Sequence, residues 1–507
     1  MRCHRSLVLA ALGSLVLASA NCCRAQTAPA SAAGSLVDLI NSGQYAFNTL
    51  ERLSAIANQA SYNSLTANPA GPTYCDPTLT KPSPTCPASV YVVFGNLRSL
   101  VQTANALLGN GKPTRYSLNL TNAGLGFALR WTAAEELSAP GTAATQFSKA
   151  QVASLASRIT ALRFGATGFT VSGIPVQPTG EGLSASNRSQ ARGGGASAES
   201  TDIGIASRWG GFLNGSYGWG KRENSVLEDA FAFDSRDATL GVDYRFTRRL
   251  VVGTMVGYTN QRIDFDSTQS VVGGGIRSHG YSLRLYGLYE WDGPYVSVSV
   301  GAERMSYSST RLITYPSFNI AVPYVNATAT GSTNSDTFSG TFMAGWQFNY
   351  KAFGFEPYVS GDYQHLHLKG FHESSVNNSG SAAGQPAGFD FDYAAQRVAV
   401  LDAAFGTRFQ YTFRLPFGVD VTYVKAEYHH LFDNTPGTVV SSYNAIAASG
   451  VDFNIPGDKP TANFSQFAVG TSLVFKHGIQ AYLQYQTSAN IAYVTTHLIS
   501  GGIRGEF

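Results

Sequence analysis

The stretch DTFSGTFMAGWQFNY, residues Asp336–Tyr350, alternates between two kinds of side chain with a period of two residues. One set is apolar or small and comprises Phe338, Gly340, Phe342, Ala344, Trp346, Phe348 and Tyr350. The residues between them are nearly all polar or small. Because successive side chains of a strand point to opposite faces of a sheet, this pattern predicts a long β-strand with one apolar face and one polar face.

The same alternation recurs from Trp209 to the C-terminus, for example in YSLRLYGLYEW (Tyr281–Trp291) and GIQAYLQYQ (Gly478–Gln486). The sequence predicts twelve such strands, mostly of ten residues or more, whereas strands of soluble proteins average about five or six residues. A soluble sandwich also alternates, but an even number of long strands with alternating short and long connections is typical of an outer-membrane barrel. The predicted short connections lie at 247–248, 292–294, 351–352, 415–416 and 476–477, and the long ones near 221–235, 261–276, 307–335, 369–393 and 432–462, with a shorter one near 488–492.

The composition of the 507 residues agrees with a barrel. Charged residues make up 13% of the chain, against about a quarter in soluble domains, and aromatic residues make up 12%. The apolar runs are too short for transmembrane helices, which need about 20 residues. A net charge of +3 is too small to indicate a nucleic-acid partner.

The N-terminus predicts export. The basic residues Arg2, His4 and Arg5 precede an apolar core from Ser6 to Ala18, which suits a secretory signal peptide. Cleavage is expected after Ala20 or Ala25, and we prefer Ala25, so that residues 1–25 form the signal peptide.

Cleavage after Ala25 leaves two cysteines, Cys75 and Cys86, at the ends of the segment CDPTLTKPSPTC. In an oxidising compartment this pair predicts a disulfide. The alternative is two free thiols.

Two further segments precede the strands. Residues 26–165 carry apolar residues at helical spacing and predict a small helical N-terminal domain, with the last stripe formed by Val152, Leu155, Ile159 and Leu162. Residues 166–208 include SASNRSQARGGGASAES and predict a flexible linker. As a coil the linker would span roughly 35 Å, enough to cross a membrane within the barrel lumen.

The last strand ends on an aromatic residue. Ile499, Ile503 and Phe507 share one parity, so Phe507 is expected at the periplasmic end of a lipid-facing stripe. A closed barrel must pair its last strand with its first, because an unpaired edge cannot face lipid. This ending also resembles the C-terminal signal that barrel-assembly machinery recognises, although Gly505 replaces the aromatic residue often found there.

The segments WGGFLNGSYGWGKREN (Trp209–Asn224) and SRDATLGVDYRFTRRLVVGTMVGYT (Ser235–Thr259), together with the terminal Phe507, resemble the β-domain of autotransporters, the type V secretion family. The resemblance covers residues 209–507 and implies twelve strands in the outer membrane of a Gram-negative bacterium. It implies that the barrel translocates an N-terminal passenger to the cell surface. The implied partners are outer-membrane lipid and lipopolysaccharide, with the Sec machinery, periplasmic chaperones and barrel-assembly machinery acting during biogenesis.

The sequence departs from the family pattern in two respects. Family passengers are often large β-helices built from repeats, whereas the candidate passenger here is short and helical. No Asn-Asn pair precedes the barrel, so we expect no autocleavage and an N-terminal domain that stays attached, at the cell surface or in the periplasm. The surface partner is unknown.

Sequence motifs for catalysis are missing. The chain has no Gly-Asp-Ser lipase motif, no Gly-x-Ser-x-Gly elbow and no His-Glu-x-x-His zinc motif. We therefore expect no enzymatic activity, no catalytic residue and no cofactor.

Two polar groups within the strands remain. Strand parity predicts that a set of charged residues faces the lumen, where structural ion pairs and contacts to a plug are the preferred interpretation over acid–base chemistry or a pore constriction: Asp243, Arg245, Arg284, Glu290, Glu303, Glu356, Asp362, Asp402 and Arg408. A histidine group is interpreted as ordinary interfacial residues rather than a metal site, since its spacing matches no known site: His365, His367, His372, His429 and His430, with Asp433 nearby.

The predicted fold is therefore an all-β membrane barrel of twelve antiparallel transmembrane strands, residues 209–507, preceded by a small α-helical domain. The predicted function is an autotransporter-type barrel that anchors the helical domain and translocates it to the cell surface. Two alternatives remain open at this point. One is a porin-like channel with a periplasmic helical domain, and the other is a surface adhesin.

Overall fold

The computed structural model describes residues 32–71, 73–133, 139–163, 170–171, 174–175, 208–265, 273–433, 435–475 and 479–506. The signal peptide with both predicted cleavage positions, most of the linker 166–208, and Phe507 lie outside the described residues. Two two-residue strands, Thr170–Val171 and Ile174–Pro175, pair with each other.

Five α-helices precede the barrel in the described part of the chain. Helix α2 begins with a capping box, in which Asn48 Oδ1 accepts from the Glu51 N–H and Glu51 Oε2 accepts from the Asn48 N–H, both at 2.8 Å. None of the helices in the described part of the chain is long and apolar enough to cross a membrane. The helices are α1 (Ser35–Asn41), α2 (Thr49–Thr66), α3 (Ala88–Leu108), α4 (Asn122–Trp131) and α5 (Ala139–Arg163).

Twelve long strands then form a closed antiparallel barrel, which confirms the predicted fold class. Strand β12 pairs with β1 in a register that places Ile499 opposite Tyr217, so the sheet has no free edge. The strands are β1 (Trp209–Arg222), β2 (Phe231–Arg245), β3 (Leu250–Phe265), β4 (Gly273–Glu290), β5 (Pro294–Tyr315), β6 (Val325–Trp346), β7 (Phe353–Leu368), β8 (Gln396–Leu415), β9 (Gly418–Leu431), β10 (Asn463–Phe475), β11 (Gln480–Ala489) and β12 (Val494–Glu506).

The outer surface of the barrel is apolar where the alternation predicted a lipid-facing stripe. Phe338, Leu283 and Leu483 are 54%, 54% and 57% exposed. Their neighbours Thr337, Arg284 and Gln484 are buried in the interior. The alternation therefore separates a lipid-facing surface from a polar lumen, because strands in a membrane must satisfy both environments at once.

The predicted connection 307–335 is mostly strand, which corrects the sequence interpretation. Strands β5 and β6 each run for 22 residues and leave only 316–324 between them. Because a membrane needs only about 9–11 residues per strand, these strands continue beyond the lipid as a wall. Strands β2 to β4 likewise extend into 221–235 and 261–276. Shorter strands lie in the connections 369–393 and 432–462: Phe371–Asn377, Phe391–Tyr393, Thr438–Tyr443 and Phe453–Pro456. Another short strand, Phe348–Tyr350, pairs with β7 just before the short connection 351–352.

Helices α1 to α4 pack on the end of the barrel that carries the long connections. One apolar core joins Phe94 and Leu97 of α3 to Phe391 and Tyr443 of the connections. A second core joins residues of α1, α3 and α4 to Ile313, Tyr315, Ala327 and Ala329 of β5 and β6. The outer halves of β5 and β6 thus stay in strand conformation because their inner face packs against the helices.

Polar contacts fix the same docking. Tyr443 donates a hydrogen bond from Oη to Asn58 Oδ1 at 2.8 Å. The Phe318 N–H donates to the Leu118 carbonyl at 2.9 Å. Arg130 of α4 forms an ion pair with Asp229, in the connection between β1 and β2. The helical region and the long connections therefore form one folded unit.

Cys75 and Cys86 are joined as the sequence predicts, in a disulfide with Cα atoms 5.0 Å apart. Both are fully buried against α2 and α3 in the first apolar core.

Candidate functional site

Helix α5 runs through the barrel lumen. Its apolar residues Leu155, Ile159 and Leu162 pack against residues of the barrel wall, including Phe212 and Met255. The sequence assigned this stripe to the small helical N-terminal domain, whereas in the structure it packs against the barrel wall. The stripe is apolar because it faces an apolar patch of the inner wall.

An ion pair anchors the C-terminal third of α5. Arg158 donates from Nε and Nη2 to the two carboxylate oxygens of Asp243, at 2.7 and 2.8 Å. Tyr286 donates from Oη to Asp243 Oδ2 at 2.8 Å. All three side chains are buried. The bidentate geometry fixes the helix in both position and rotation.

A second ion pair holds the C-terminal end of α5. Arg163 donates to Glu356 Oε1 at 2.5 Å, and its guanidinium lies 3.5 Å from the ring centroid of Tyr295. Tyr295 donates to the same Glu356 oxygen at 2.7 Å. The second Glu356 oxygen lies 3.8 Å from Arg408, and Glu290 lies 3.9 Å from Arg163. This end of α5 therefore lies near the short connections.

Neutral side chains complete the attachment on the same wall. Asn214 donates to Ser154 Oγ at 2.7 Å. Gln151 Oε1 accepts hydrogen bonds from Ser282 at 3.1 Å and Thr239 at 3.3 Å. Close approach also requires a glycine, because a Cβ at Gly257 would lie 2.3 Å from Gln151 Oε1. The lumen surface thus complements this helix both in shape and in its hydrogen-bonding groups.

The predicted lumen residues divide into four groups. Asp243, Glu356, Arg408 and, more weakly, Glu290 contact α5 or its partners, as described above. Arg284 and Glu303 form a separate buried pair at 3.3 Å. Gln364 donates to Asp362 at 2.7 Å, and Asp402 lies 2.9 Å from His429. Arg245 is half-buried. These side chains form dispersed pairs along the inner wall, not one cluster.

The two α5 arginines, Arg158 and Arg163, were not among the residues predicted to form the site. Arg158 lies within the apolar stripe, three residues after Leu155 and four before Leu162. A cation in the middle of an apolar helix face requires a buried partner. That position was the available signal that α5 packs against a charged surface.

The histidine group is also dispersed. His429 stacks on Phe464 inside the barrel, with ring centroids 4.6 Å apart. His430 contacts Asn463 at 2.8 Å on the exposed side, and His372 lies 3.0 Å from Asp392 in a long connection. His365 and His367 lie on β7 in the parity of its exposed face. Within the described ranges, no three His, Cys, Asp or Glu side chains converge as metal ligands.

Asp433 lies beyond the membrane, in the connection after β9. Hydrogen bonds from the Thr435 hydroxyl and backbone N–H lower the pKa of its carboxyl. These local bonds satisfy Asp433 within its own turn.

The C-terminal residues follow the predicted stripe as far as they are described. Ile499 and Ile503 are 41% and 58% exposed on the outer surface of β12. Phe507 lies outside the described residues, so its position in the stripe stays a prediction.

A closed antiparallel barrel with an apolar exterior and a polar lumen defines a transmembrane β-barrel protein. The family model described as autotransporter beta-domain matches residues 211–486. The chain therefore belongs to the autotransporter β-domain family. Proteins of this family are outer-membrane barrels of Gram-negative bacteria. No curated protein sequence matches the chain.

Several solved structures are similar in fold. The translocator domain of the autotransporter NalP from Neisseria meningitidis is 9% identical, with a TM-score of 0.43 over 59% of this chain and 89% of that one. The β domain of the Bordetella autotransporter Brka is 14% identical, with a TM-score of 0.40 over 59% of this chain and 100% of that one. The transport unit of AIDA-I from Escherichia coli is 11% identical, with a TM-score of 0.36 over 61% of this chain and 94% of that one.

Proposed function

We propose that this barrel translocates its own helical N-terminal region to the cell surface and retains it there as a docked cap. Helix α5 is then the segment left in the lumen, connecting the cap to the periplasmic end. No release step is part of the proposal. The chain acts as an anchor for a small surface domain.

The observation that carries this proposal is the direction of α5. Its N-terminal part, including Phe147, belongs to the core at the end with long connections. Its C-terminal Arg163 contacts Glu290 and Glu356 beside the short connections. In outer-membrane barrels the long connections are extracellular and the short turns are periplasmic. A chain that starts in the periplasm and has α1–α4 at the outer end must have passed through the lumen.

The occupied lumen argues against a general channel. Twelve strands enclose a smaller interior than the 16–18 strands of porins. Much of that interior is taken by α5, whose side chains are paired with the wall rather than solvated. The porin-like alternative would need an open aqueous path through the lumen. The adhesin alternative would need a surface partner, and the docking of the cap on the barrel does not identify one.

In this proposed arrangement the barrel exterior lies against outer-membrane lipid and lipopolysaccharide. The Sec machinery exports the chain, and periplasmic chaperones and barrel-assembly machinery insert it. The apolar exterior and the exposed Ile499 and Ile503 of β12 support this assignment.

An epitope tag inserted after Asn110 tests the location of the cap. Residues 109–111 form an exposed turn after α3, so a tag there should leave the apolar cores intact. On intact cells we expect antibody to bind this tag. Binding only after the outer membrane is permeabilised would contradict translocation.

Two matched tags calibrate the measurement. A tag after Ala383 lies in an exposed part of the connection between β7 and β8 and should be accessible on intact cells. A tag at Asp292, whose side chain is 90% exposed in a short connection, should require permeabilisation. If those two tags behave as expected while the Asn110 tag is protected, the barrel is inserted normally and the cap is periplasmic.

A further inference from the structure

Helix α5 fills only part of the lumen. A cavity of about 60 Å³ separates the helix from the wall, mainly from strands β7 to β12. A buried water needs about 10–15 Å³ by this measure, so the cavity has room for several waters or one small polyatomic ion. The helix contributes only small side chains to this cavity: Ala153, Ala156, Ser157, Thr160 and Ala161.

The wall side of the cavity is basic and aromatic. Arg408 and Arg504 line it, and each is 5% exposed. The Arg504 guanidinium lies 4.1 Å from the ring centroid of Tyr482 and donates a hydrogen bond to Ser157. Arg408 donates to Thr160 at 3.0 Å. Both arginines thus contact α5 at hydroxyls three residues apart, on neighbouring turns of one helix face.

The carboxylates near the cavity are already engaged. Glu356 forms its shorter ion pair with Arg163, at 2.5 Å, whereas its other carboxylate oxygen lies 3.8 Å from Arg408 Nη1. Lys425, which also lines the cavity, pairs with Glu427 at 2.9 Å. No acidic side chain of the described residues lies within 4.0 Å of the Arg504 guanidinium.

The buried positive charge of Arg504 therefore lacks a compensating carboxylate among the described side chains. Its Nε is buried and has no hydrogen-bond acceptor within those residues. Burying a cation without a counter-charge costs several kcal/mol. An anion in the adjoining cavity would offset that cost, and a planar guanidinium is suited to binding an oxyanion through two donors.

We propose that this cavity binds one small oxyanion, of the phosphate or carboxylate class, between Arg504 and Arg408. The bound anion links the wall to α5, because both arginines also hold hydroxyls of the helix. Anion binding therefore stabilises the helix in its lumen position. The site requires α5 in the lumen, but it is independent of which side of the membrane the cap occupies.

Thermal unfolding of the purified full chain in lipid-free detergent micelles tests the site. Inorganic phosphate is compared with sodium chloride at equal ionic strength, so that general salt effects cancel and no lipid phosphate is present. We expect saturating phosphate to raise the unfolding midpoint of the native chain by about 2–4 °C. Arg504→Gln should lose this rise. Arg277→Gln, at an exposed position on β4, should keep it.

An equal rise in the native chain and both variants, or no rise in the native chain, would overturn the proposal. If Arg504→Gln does not fold, Ala156→Leu provides a second test, because it fills the cavity from the helix side without changing charge. A phosphate-specific rise that persists in Ala156→Leu would also overturn it. Sodium acetate in the same assay assigns the class: a rise with phosphate alone selects a tetrahedral oxyanion, and a rise with both extends the site to carboxylates.

Discussion

The N-terminal region is attached to the barrel by two different kinds of chemistry. Helices α1 to α4 share apolar cores with the long connections, through residues such as Leu97 and Phe391. Helix α5 is held mainly by ion pairs and hydrogen bonds, centred on Arg158 and Arg163. One continuous segment therefore uses apolar packing outside the membrane and largely polar pairing within it.

The difference follows from what each surface meets when the helices are absent. A polar lumen without its helix is solvated by water at little cost. An apolar surface without its partner loses about 25 cal/mol for each Å² exposed. The outer core should therefore contribute most of the net attachment energy, while the lumen pairs set position and rotation. Four variants examine this division, in decreasing order of expected effect.

Arg158→Leu should destabilise the seated helix by about 3–5 kcal/mol, because it leaves Asp243 buried without its partner. Loosening of α5 should appear as increased single-channel conductance in planar bilayers, while the cap stays protease-resistant. The double variant Arg158→Leu with Asp243→Leu should recover most of the loss, since both charges are then removed. If the double variant conducted as much as the single variant, the ion pair itself would supply the net free energy that holds α5 in the lumen.

Leu97→Ala should cost about 3 kcal/mol, because it opens a cavity in the fully buried core between α3 and the long connections. We expect faster proteolysis of residues 32–133 with an intact barrel, measured by retained heat-dependent gel mobility. Phe127→Ala is the matched control, because Phe127 is 41% exposed and its loss should change stability by less than about 0.5 kcal/mol. Simultaneous loss of the barrel would mean that the cap and the strands unfold as one unit.

Removal of the disulfide by Cys75→Ser together with Cys86→Ser should cost about 2–3 kcal/mol, because the closed loop has a sequence separation of 11. The effect should be confined to the cap and should be reproduced by a reductant acting on the native chain. Thermal unfolding with and without the reductant measures it. If the reductant lowered the unfolding midpoint of the double variant as much as that of the native chain, its effect would not come from this disulfide.

Asn48→Ala should cost about 1 kcal/mol, because it removes the side-chain acceptor at the start of α2. Asn48→Asp keeps an acceptor at this position and should remain close to the native chain. Urea unfolding of the cap, followed by proteolysis, distinguishes the two variants. Equal losses in both would show that the cap depends on the amide donor of Asn48 and not on its oxygen.

The strands could be predicted from the sequence because each one is constrained along its own length. Phe338 and Thr337 face lipid and lumen irrespective of which strand is next to them. The outer halves of β5 and β6 could not be predicted in the same way. Beyond the lipid, residues such as Ile313 and Ala329 are apolar because they meet α1, α3 and α4, and that contact lies far away in sequence.

The position of α5 shows the same limit. A helical stripe such as Leu155, Ile159 and Leu162 has the same period in a bundle and in a barrel lumen. Within the sequence, only Arg158, which interrupts the stripe, distinguishes a helix in a lumen from a helix in a bundle. The partner of Arg158 is Asp243 on β2, which is distant in sequence.

The sequence by itself determined the twelve alternating strands and the pairing of Cys75 with Cys86, because each of these is encoded within a short segment. The tertiary structure decided where the helices lie: α5 in the lumen, and α1 to α4 on the long connections. The physical reason is that periodicity specifies which face of an element is apolar or polar but not which distant surface complements it. That choice is made by the geometry of the closed barrel, which brings Asp243 and Glu356 to the positions that Arg158 and Arg163 require.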